Sequence, residues 1–475
     1  MTIPYQLIEK EKLYKVYHAS MKILEEKGVE IKDNDLLEKI SHSSSVEIKD
    51  NIVRFKKKFV NRALENIPSK VVLKARDPEK DLVIGYPNSE HKTLFTNGFG
   101  STKIFNPEKN NVREANFNDL VKFTKLAHSL EKVDYCLFQV TPRDVSANKV
   151  DIYSTWALLN NTDKHIHLGI ENPDSLSHIS RIMEICSQDF PGERRPFYSI
   201  GGVVDSPLQY SELTCKKMIF AAENQLPFIF VGGGIAGVTT PVTIAGGLSL
   251  QHAEILAGIT MMQIINPDLP CMYGTFTGPM NMRTGKLSLG SPELSLINIA
   301  TAQLCEEFEI PFAYGTGGLT DAKIPGLRAG FEKAMTITAA ALGGVEVIHH
   351  GVSGLLHRAD ISCYEQMVID NEICKTISRL MKGFDVTEDT IAYDLISEVE
   401  HGGNFLEETH TLNNFKEEIF ISDFFDESNK KDLDNQFDDP IYEVAREKVN
   451  EITGTERKFI SKEAYQELEE YMNNL

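Results

Sequence analysis

The sequence predicts an α/β protein: a (β/α)8, or TIM, barrel with a helical N-terminal layer and an acidic helical C-terminal extension. Three observations predict it. Eight short apolar or β-branched runs recur from residue 93 at intervals of about 30 to 45 residues. Amphipathic helical patterns fill most of the intervals, as the βα repeat requires. Most runs end in glycine or a polar residue, as strands do when they feed βα-loops. The runs are TLFTNG at 93, YCLFQV at 135, HIHLGI at 165, PFYSIGG at 196, PFIFVGG at 227, PCMYGTF at 270, IPFAYGTGG at 310 and VEVIHHG at 345. The barrel therefore spans 93–385, with extensions over 1–92 and 386–475.

In the first extension, YKVYHASMKILEEKGVEI has helical spacing and stops at Gly28, a natural helix end. VEIKDNIVRF alternates around Asp50-Asn51, which predicts a hairpin, and FVNRALENIP reads as a helix ended by Pro68. In the second, TLNNFKEEIF, DDPIYEVAREKVNEI and SKEAYQELEEYMNNL read as acidic helices packed on the barrel or used in self-association.

FIFVGGGIAGVTTPVTIAGG, residues 228–247, poses a separate question. Gly232, Gly234 and Gly237 fit the G-x-G-x-x-G pattern of dinucleotide sites. That reading needs an acidic residue at a second strand end about 20 residues on. Here Thr240 and Pro241 suit the cap and first position of a helix, and Glu254 falls inside it. The loop is read as a βα-loop whose glycines admit a close backbone approach by a ligand or partner. The uncharged stretch between Glu223 and Glu254 also imitates a membrane span, but it holds six glycines and two prolines and divides into strand, loop and helix.

Bulk composition narrows the function. A formal net charge of −20 argues against nucleic acid and anionic membrane as partners. Seven scattered cysteines without C-x-x-C, and a charged N-terminus without a signal core, predict a reduced, cytoplasmic protein.

Barrel enzymes place their chemistry at the C-terminal strand ends. Those positions hold Asn97, Gln139, Tyr273, Thr275, Phe276, Tyr314, Asp321, His349 and His350. Such a mouth, aromatic and poor in charge, suits a cationic or zwitterionic small ligand. Asn97, Gln139, Tyr273, Phe276, Tyr314, His349 and His350 are the candidate substrate-binding residues. His350 and Asp321 are the candidates for a catalytic role. Neighbouring strand residues face opposite ways, so one of His349 and His350 is expected in the pocket, as acid/base, carboxylate anchor or metal ligand. The alternative is a histidine bonded between barrel and helix. Asp321 could balance a substrate cation or cap a turn, and Tyr273 and Phe276 could form a cation cage or fill core. His401 and His410 could fold over the mouth. Cys363 and His357 match no strong metal-ligand spacing. DKHIHLG, residues 163–169, nearly matches the cobalamin-ligating D-x-H-x-x-G, but Leu168 occupies the glycine position and the segment is a strand.

Several phrases together resemble the trimethylamine methyltransferase family: GVTTPVTIAGGLSLQHAEILAGITMMQIINPDLPCMYG, RTGKLSLGSPELSLINIATAQL, GTGGLTDAKIPGLRAGFEKA, HHGVSGLLHRADISCYEQMVIDNEI and GGNFLEETHTLNNFKEE. ILEEKGVEI and LKARDPEKDLVI fit its N-terminal part. The chain departs from the family pattern at Gly326 and Leu327. The resemblance implies a TIM barrel that transfers a methyl group from an amine nitrogen to Co(I) of a separate corrinoid protein. The cofactor, cobalamin, is then carried by that partner and none is tightly bound here. The chain uses only the twenty standard residue types, so it resembles the branch without pyrrolysine. That branch implies quaternary amines as substrates, glycine betaine or a related betaine, and release of the tertiary amine. A metal-dependent lyase or hydrolase using His349 and His350, or a non-catalytic amine-binding homologue, are the alternatives. A homo-oligomer is also expected.

Overall fold

The computed structural model describes residues 5–87, 92–189, 196–422, 424 and 441–475. Its centre is a parallel sheet in the order Leu94–Phe95, Val347–His349, Phe312–Thr316, Cys271–Thr275, Phe228–Gly232, Tyr198–Val204, Ile166–Leu168. The two edge strands are joined through the segment between them in sequence. Thr96 bridges Tyr135 and Cys136 bridges Ile166, both in parallel. All eight predicted runs thus lie side by side in a curled, barrel-like array. A helix follows each, from Phe117–Ser129 after the second predicted run's predecessor to Tyr364–Lys382 at the end.

Strand alternation divides the side chains between two cores. Leu94, Tyr135, Leu137, Ile229, Val231, Met272, Ala313 and Val347 pack together inside. Their sequence neighbours Phe228, Phe230, Tyr273, Phe312 and Ile348 belong to the larger core outside, with the helices. The hairpin Lys70–Leu73/Leu82–Gly85 contributes Val71, Leu73 and Ile84 to the inner core. It sits at the strands' N-terminal end, where Glu346 clamps it: one carboxyl oxygen accepts from Gly85 N–H at 2.8 Å and the other from Phe312 N–H at 2.9 Å. Sequence reading did not find this plug.

The N-terminal layer matches expectation. Helix Lys10–Glu26 ends just before Gly28, and Val46–Lys49/Ile52–Phe55 forms the hairpin. Asp50 and Asn51 both take positive φ, 50° and 63°, as a tight right-twisting hairpin turn demands. The loop after Phe228–Gly232 does not. Its helix begins at Ile244, with Thr243 as cap residue, so Pro241 precedes the first turn. Residues 235–240 instead close on themselves: Thr240 N–H donates to Ile235 C=O at 3.2 Å, and Gly237 N–H to Thr240 C=O at 3.0 Å. Gly234 abuts the Thr240 methyl so closely that a Cβ there would collide with it. The glycine loop packs on itself and leaves no phosphate cradle.

The C-terminal extension divides in two. Helix Ile441–Thr453 packs on Tyr364–Lys382 and Phe117–Ser129, and Lys462–Asn473 packs on Ser175–Ser187. The stretch 384–421 is different: Phe384, Tyr393, Leu406 and Leu412 are exposed, Leu406 to 80%. His401 is exposed and His410 half-buried on this stretch, and neither lines the cavity described below. No helix among the described residues is long and apolar enough to cross a membrane.

Burial pushes the Glu346 carboxyl up to about 7 from its usual 4.5. The folded state therefore holds a proton that the unfolded chain releases from about pH 4.5 upward, and stability is lost as pH rises to about 7. Glu346→Gln cannot titrate. Its unfolding free energy should gain on wild type as pH rises from about 4.5 to about 7, by on the order of 3 kcal/mol, and level off above that. A pH-independent difference would show that Glu346 titrates normally.

Candidate functional site

A cavity of about 230 Å³ opens at the C-terminal strand ends. It is smaller than the roughly 300–1,000 Å³ of pockets for drug-sized ligands. Phe99, Leu137, His167, Val231, Phe276, Tyr314 and His350 form much of its wall, with Glu171 and Lys217 at one side.

Two backbone irregularities aim its central residues. Tyr273 pairs with Phe312 and the next residue, Gly274, pairs with Tyr314, so Ala313 is an extra residue in its strand. This bulge breaks the alternation, and Ala313 and Tyr314 both join the inner cluster. His350 has φ of 69°, an uncommon conformation for a residue with a side chain. It turns its ring onto the cavity, directly after His349 at the strand's end. Of the pair, His350 lines the cavity and His349 does not: it stacks on Tyr314 beneath it, ring centroids 3.6 Å apart.

The aromatic and imidazole groups form one chain. Tyr135 O–H donates to Ala313 C=O at 3.0 Å, so the same oxygen accepts from His349 Nε2 at 2.8 Å. That assigns the His349 proton to Nε2. Tyr314 O–H and His350 Nε2 are 3.0 Å apart. Nδ1 of His349 and of His350 are buried with no partner in the structure. Burial pushes His350 down to about 3, aided by the Lys333 charge, and His167 down to about 3, aided by His165 and Lys217. His349 is lowered further by burial and its two histidine neighbours. All three rings are neutral at neutral pH. His167 is held by Ser199, whose hydroxyl lies 2.9 Å from Nδ1 and 2.9 Å from His165 Nε2.

The structure brings Phe276, Tyr314 and His350 together on the cavity and places the other candidates elsewhere. Asn97 copies a strand pairing: its Nδ2 donates to Leu137 C=O and its Oδ1 accepts from Leu137 N–H, both at 2.8 Å. Gln139 accepts from Gly98 N–H at 2.6 Å and donates to Ser353 C=O at 2.6 Å and Ser362 Oγ at 2.9 Å. Tyr273 points outward, where it receives Gln251 Nε2 at 3.2 Å and stacks on His252. Thr275 donates to that same Gln251. Asp321 ties two loops, accepting from Ser288 Oγ at 2.7 Å and Leu289 N–H at 3.1 Å. Strand-end position alone did not separate groups that satisfy the barrel wall from groups that face the ligand space.

Phe99, His167, Glu171 and Lys217 were not anticipated as site residues. Phe99 lies just past the first strand, against Gly169, where a Cβ would overlap its ring. His167 stands in the decoy motif DKHIHLG, and its inward alternation was a usable signal. Lys217 comes from an outer helix, Glu212–Asn224, and carries no such signal. Among the described residues no three His, Cys, Asp or Glu side chains group as metal ligands would. Cys363 is buried against Glu365, and His357 contacts Arg358.

Comparison with known proteins agrees with this architecture. The profile of the trimethylamine methyltransferase (MTTB) family matches residues 1–474. A glycine betaine methyltransferase of Desulfitobacterium hafniense (strain Y51) is 32% identical over 427 residues, covering 89% of this chain and 87% of the relative. The trimethylamine methyltransferase MttB of Desulfitobacterium hafniense (strain DSM 10664 / DCB-2) is 29% identical over 406 residues, covering 84% and 80%. The crystal structure of the Methanosarcina barkeri monomethylamine methyltransferase (MtmB) superposes with a TM-score of 0.53 at 12% identity, covering 94% of this chain and 89% of that one. At that identity the likeness speaks to fold alone. With the family profile spanning nearly every residue, and the chain free of pyrrolysine, the protein belongs to the trimethylamine methyltransferase family and its non-pyrrolysine branch.

Proposed function

We propose that this protein transfers a methyl group from a quaternary amine of the betaine class to Co(I) of a corrinoid carried by a separate protein. The observation that carries the reading is the small cavity whose aromatic wall surrounds histidines held neutral by burial. Phe276 and Tyr314 offer ring faces to a cation at about 0.5–2 kcal/mol each. The neutral histidines add no positive charge against that cation. The relative named glycine betaine methyltransferase supports the substrate class.

The chemistry asks little else of the protein. A quaternary nitrogen has no lone pair and is already activated. Its C–N bond breaks with the electron pair staying on nitrogen, while the cobalt pair forms the new bond to carbon. The amine leaves neutral, so no general acid is required. The chain's residues bind, orient and desolvate the ammonium, an effect worth several kcal/mol. His350, fixed by Tyr314, serves to position substrate and not to move a proton.

The corrinoid protein would dock on the rim above the cavity. Val238, Val242, Met282, Leu327 and Phe331 stand exposed on the loops and helix start that follow three strands, Leu327 to 93%. We also propose that 93–385 is the catalytic unit, that the chain works in the cytoplasm, where its buried free cysteines stay reduced, and that 384–421 mediates self-association. Phe384, Val386, Tyr393, Leu406 and Leu412 are all exposed along this one stretch.

Three measurements test this. With a competent Co(I) corrinoid protein, the Co(I) absorption band should be lost on adding glycine betaine and persist with trimethylamine; persistence with every quaternary amine would overturn the proposal. Because His350 and His167 acquire protons only as pH falls towards about 3, glycine betaine affinity by calorimetry should be flat from pH 5.5 to 8.5. A limb near 6.5 would place an ordinary histidine at the ligand. Light scattering should give a mass above the 53.3 kDa of one chain, reduced towards it in a Leu406→Glu/Leu412→Glu variant.

A further inference from the structure

Lys217 occupies a position that the methyl-transfer reading does not use. It projects from helix Glu212–Asn224, outside the sheet, through the wall to the cavity, and only 6% of it is exposed. Burying an ammonium is costly unless partners replace its water. Two other lysines show how this chain meets that need. Lys333 Nζ pairs with Asp370 at 2.7 Å and donates to Gly318 C=O at 2.7 Å. Lys164 Nζ donates to the carbonyls of Ala127, Leu130 and Val133. Lys217 Nζ donates to one carbonyl, Ile170, at 3.0 Å, and has no ion pair among the described residues. The acidic groups that act on it, Glu171, Asp151 and Asp205, do so from longer range. Asp151 is itself engaged by the Glu171 and Asn172 N–H groups at 3.0 and 2.8 Å. Two of the three ammonium donors therefore have no acceptor among the described residues.

Lys217 enters beside the strands Ile166–Leu168 and Tyr198–Val204, whereas Phe276 follows Cys271–Thr275, two strands on from Tyr198–Val204, and Tyr314 lies in Phe312–Thr316, three on. The cavity thus has an aromatic wall facing a wall that carries both Lys217 and Glu171. A quaternary ammonium gains at the first, and a carboxylate gains at the Lys217 donors that have no acceptor among the described residues. A zwitterion uses both.

We propose that Lys217 binds the carboxylate of a zwitterionic quaternary amine and sets the preference of the site for betaines over uncharged-tailed cations such as choline. The assignment rests on the quaternary-amine reading for the aromatic wall. It also fits the reaction: a carboxylate paired with Lys217 is partly neutralised, so it stabilises the ground-state ammonium less relative to the charge-dispersed transition state.

Calorimetry on the full chain tests it with glycine betaine, its methyl ester and choline. Wild type should bind glycine betaine about tenfold or more tightly than the ester, the gain of a charge-assisted hydrogen bond. Lys217→Met should erase that gap by weakening betaine alone, with choline unchanged. Equal binding of betaine and ester by wild type, a comparison that needs no variant to fold, would overturn the assignment. So would a Lys217→Met variant that weakens betaine and choline alike. Lys217-dependent betaine binding without any loss of the Co(I) band would instead sink methyl transfer and leave the carboxylate site standing.

Discussion

A parallel sheet has no face that water can cover, and every strand of it must be buried on both sides. In this chain the demand is met by curling. Tyr135 and Cys136 bridge the two edge strands, the inner faces fill one another, and the helices cover the outside. Everything distinctive about the site follows from that enclosure. The inner core is filled from below by the hairpin that Glu346 clamps, and the cavity lies at the other end. Groups stranded there lose their water and change their chemistry.

Histidine shows the effect most clearly. In water His167, His349 and His350 would carry partial positive charge near neutral pH; walled in, they are neutral. Their order is then set by hydrogen bonds. The Tyr135 hydroxyl, committed to Ala313, fixes the proton on His349, whose ring supports Tyr314, whose hydroxyl meets His350. The bulge at Ala313 and the left-handed backbone at His350 are local departures from regular strand that put the last two members of this series on the cavity. Both departures stand at the cavity, where a site must be held open.

The outer surface is organised by the same division. Helix Lys10–Glu26 packs across Ile244–Ile265, and Tyr17, Met21 and Leu24 share one core with the barrel helices. The N-terminal layer is part of the wall. The rim and the 384–421 stretch, by contrast, present large apolar side chains to solvent on a chain of net charge −20.

Periodicity made the eight strands, the intervening helices, the Asp50-Asn51 hairpin and the end of the first helix legible, because each depends on residues close in sequence. Family phrases carried the rest of the architecture. Of the site, Phe276, Tyr314 and His350 could be read as residues at strand ends. Asn97, Gln139, Tyr273 and Asp321 occupy equivalent positions yet bond to the wall or to other loops, since one residue of register decides inward from outward and a bulge resets it. Thr240 and Pro241 carry the signature of a helix start, but the loop's own backbone hydrogen bonds delay the helix to Ile244. By itself the sequence determined the class of fold and the aromatic residues near its strand ends, because both are properties of local runs. Only the tertiary structure decided which rings face the cavity and that Lys217 reaches it from outside the sheet, because those depend on distant segments meeting and on which of them can satisfy a buried charge.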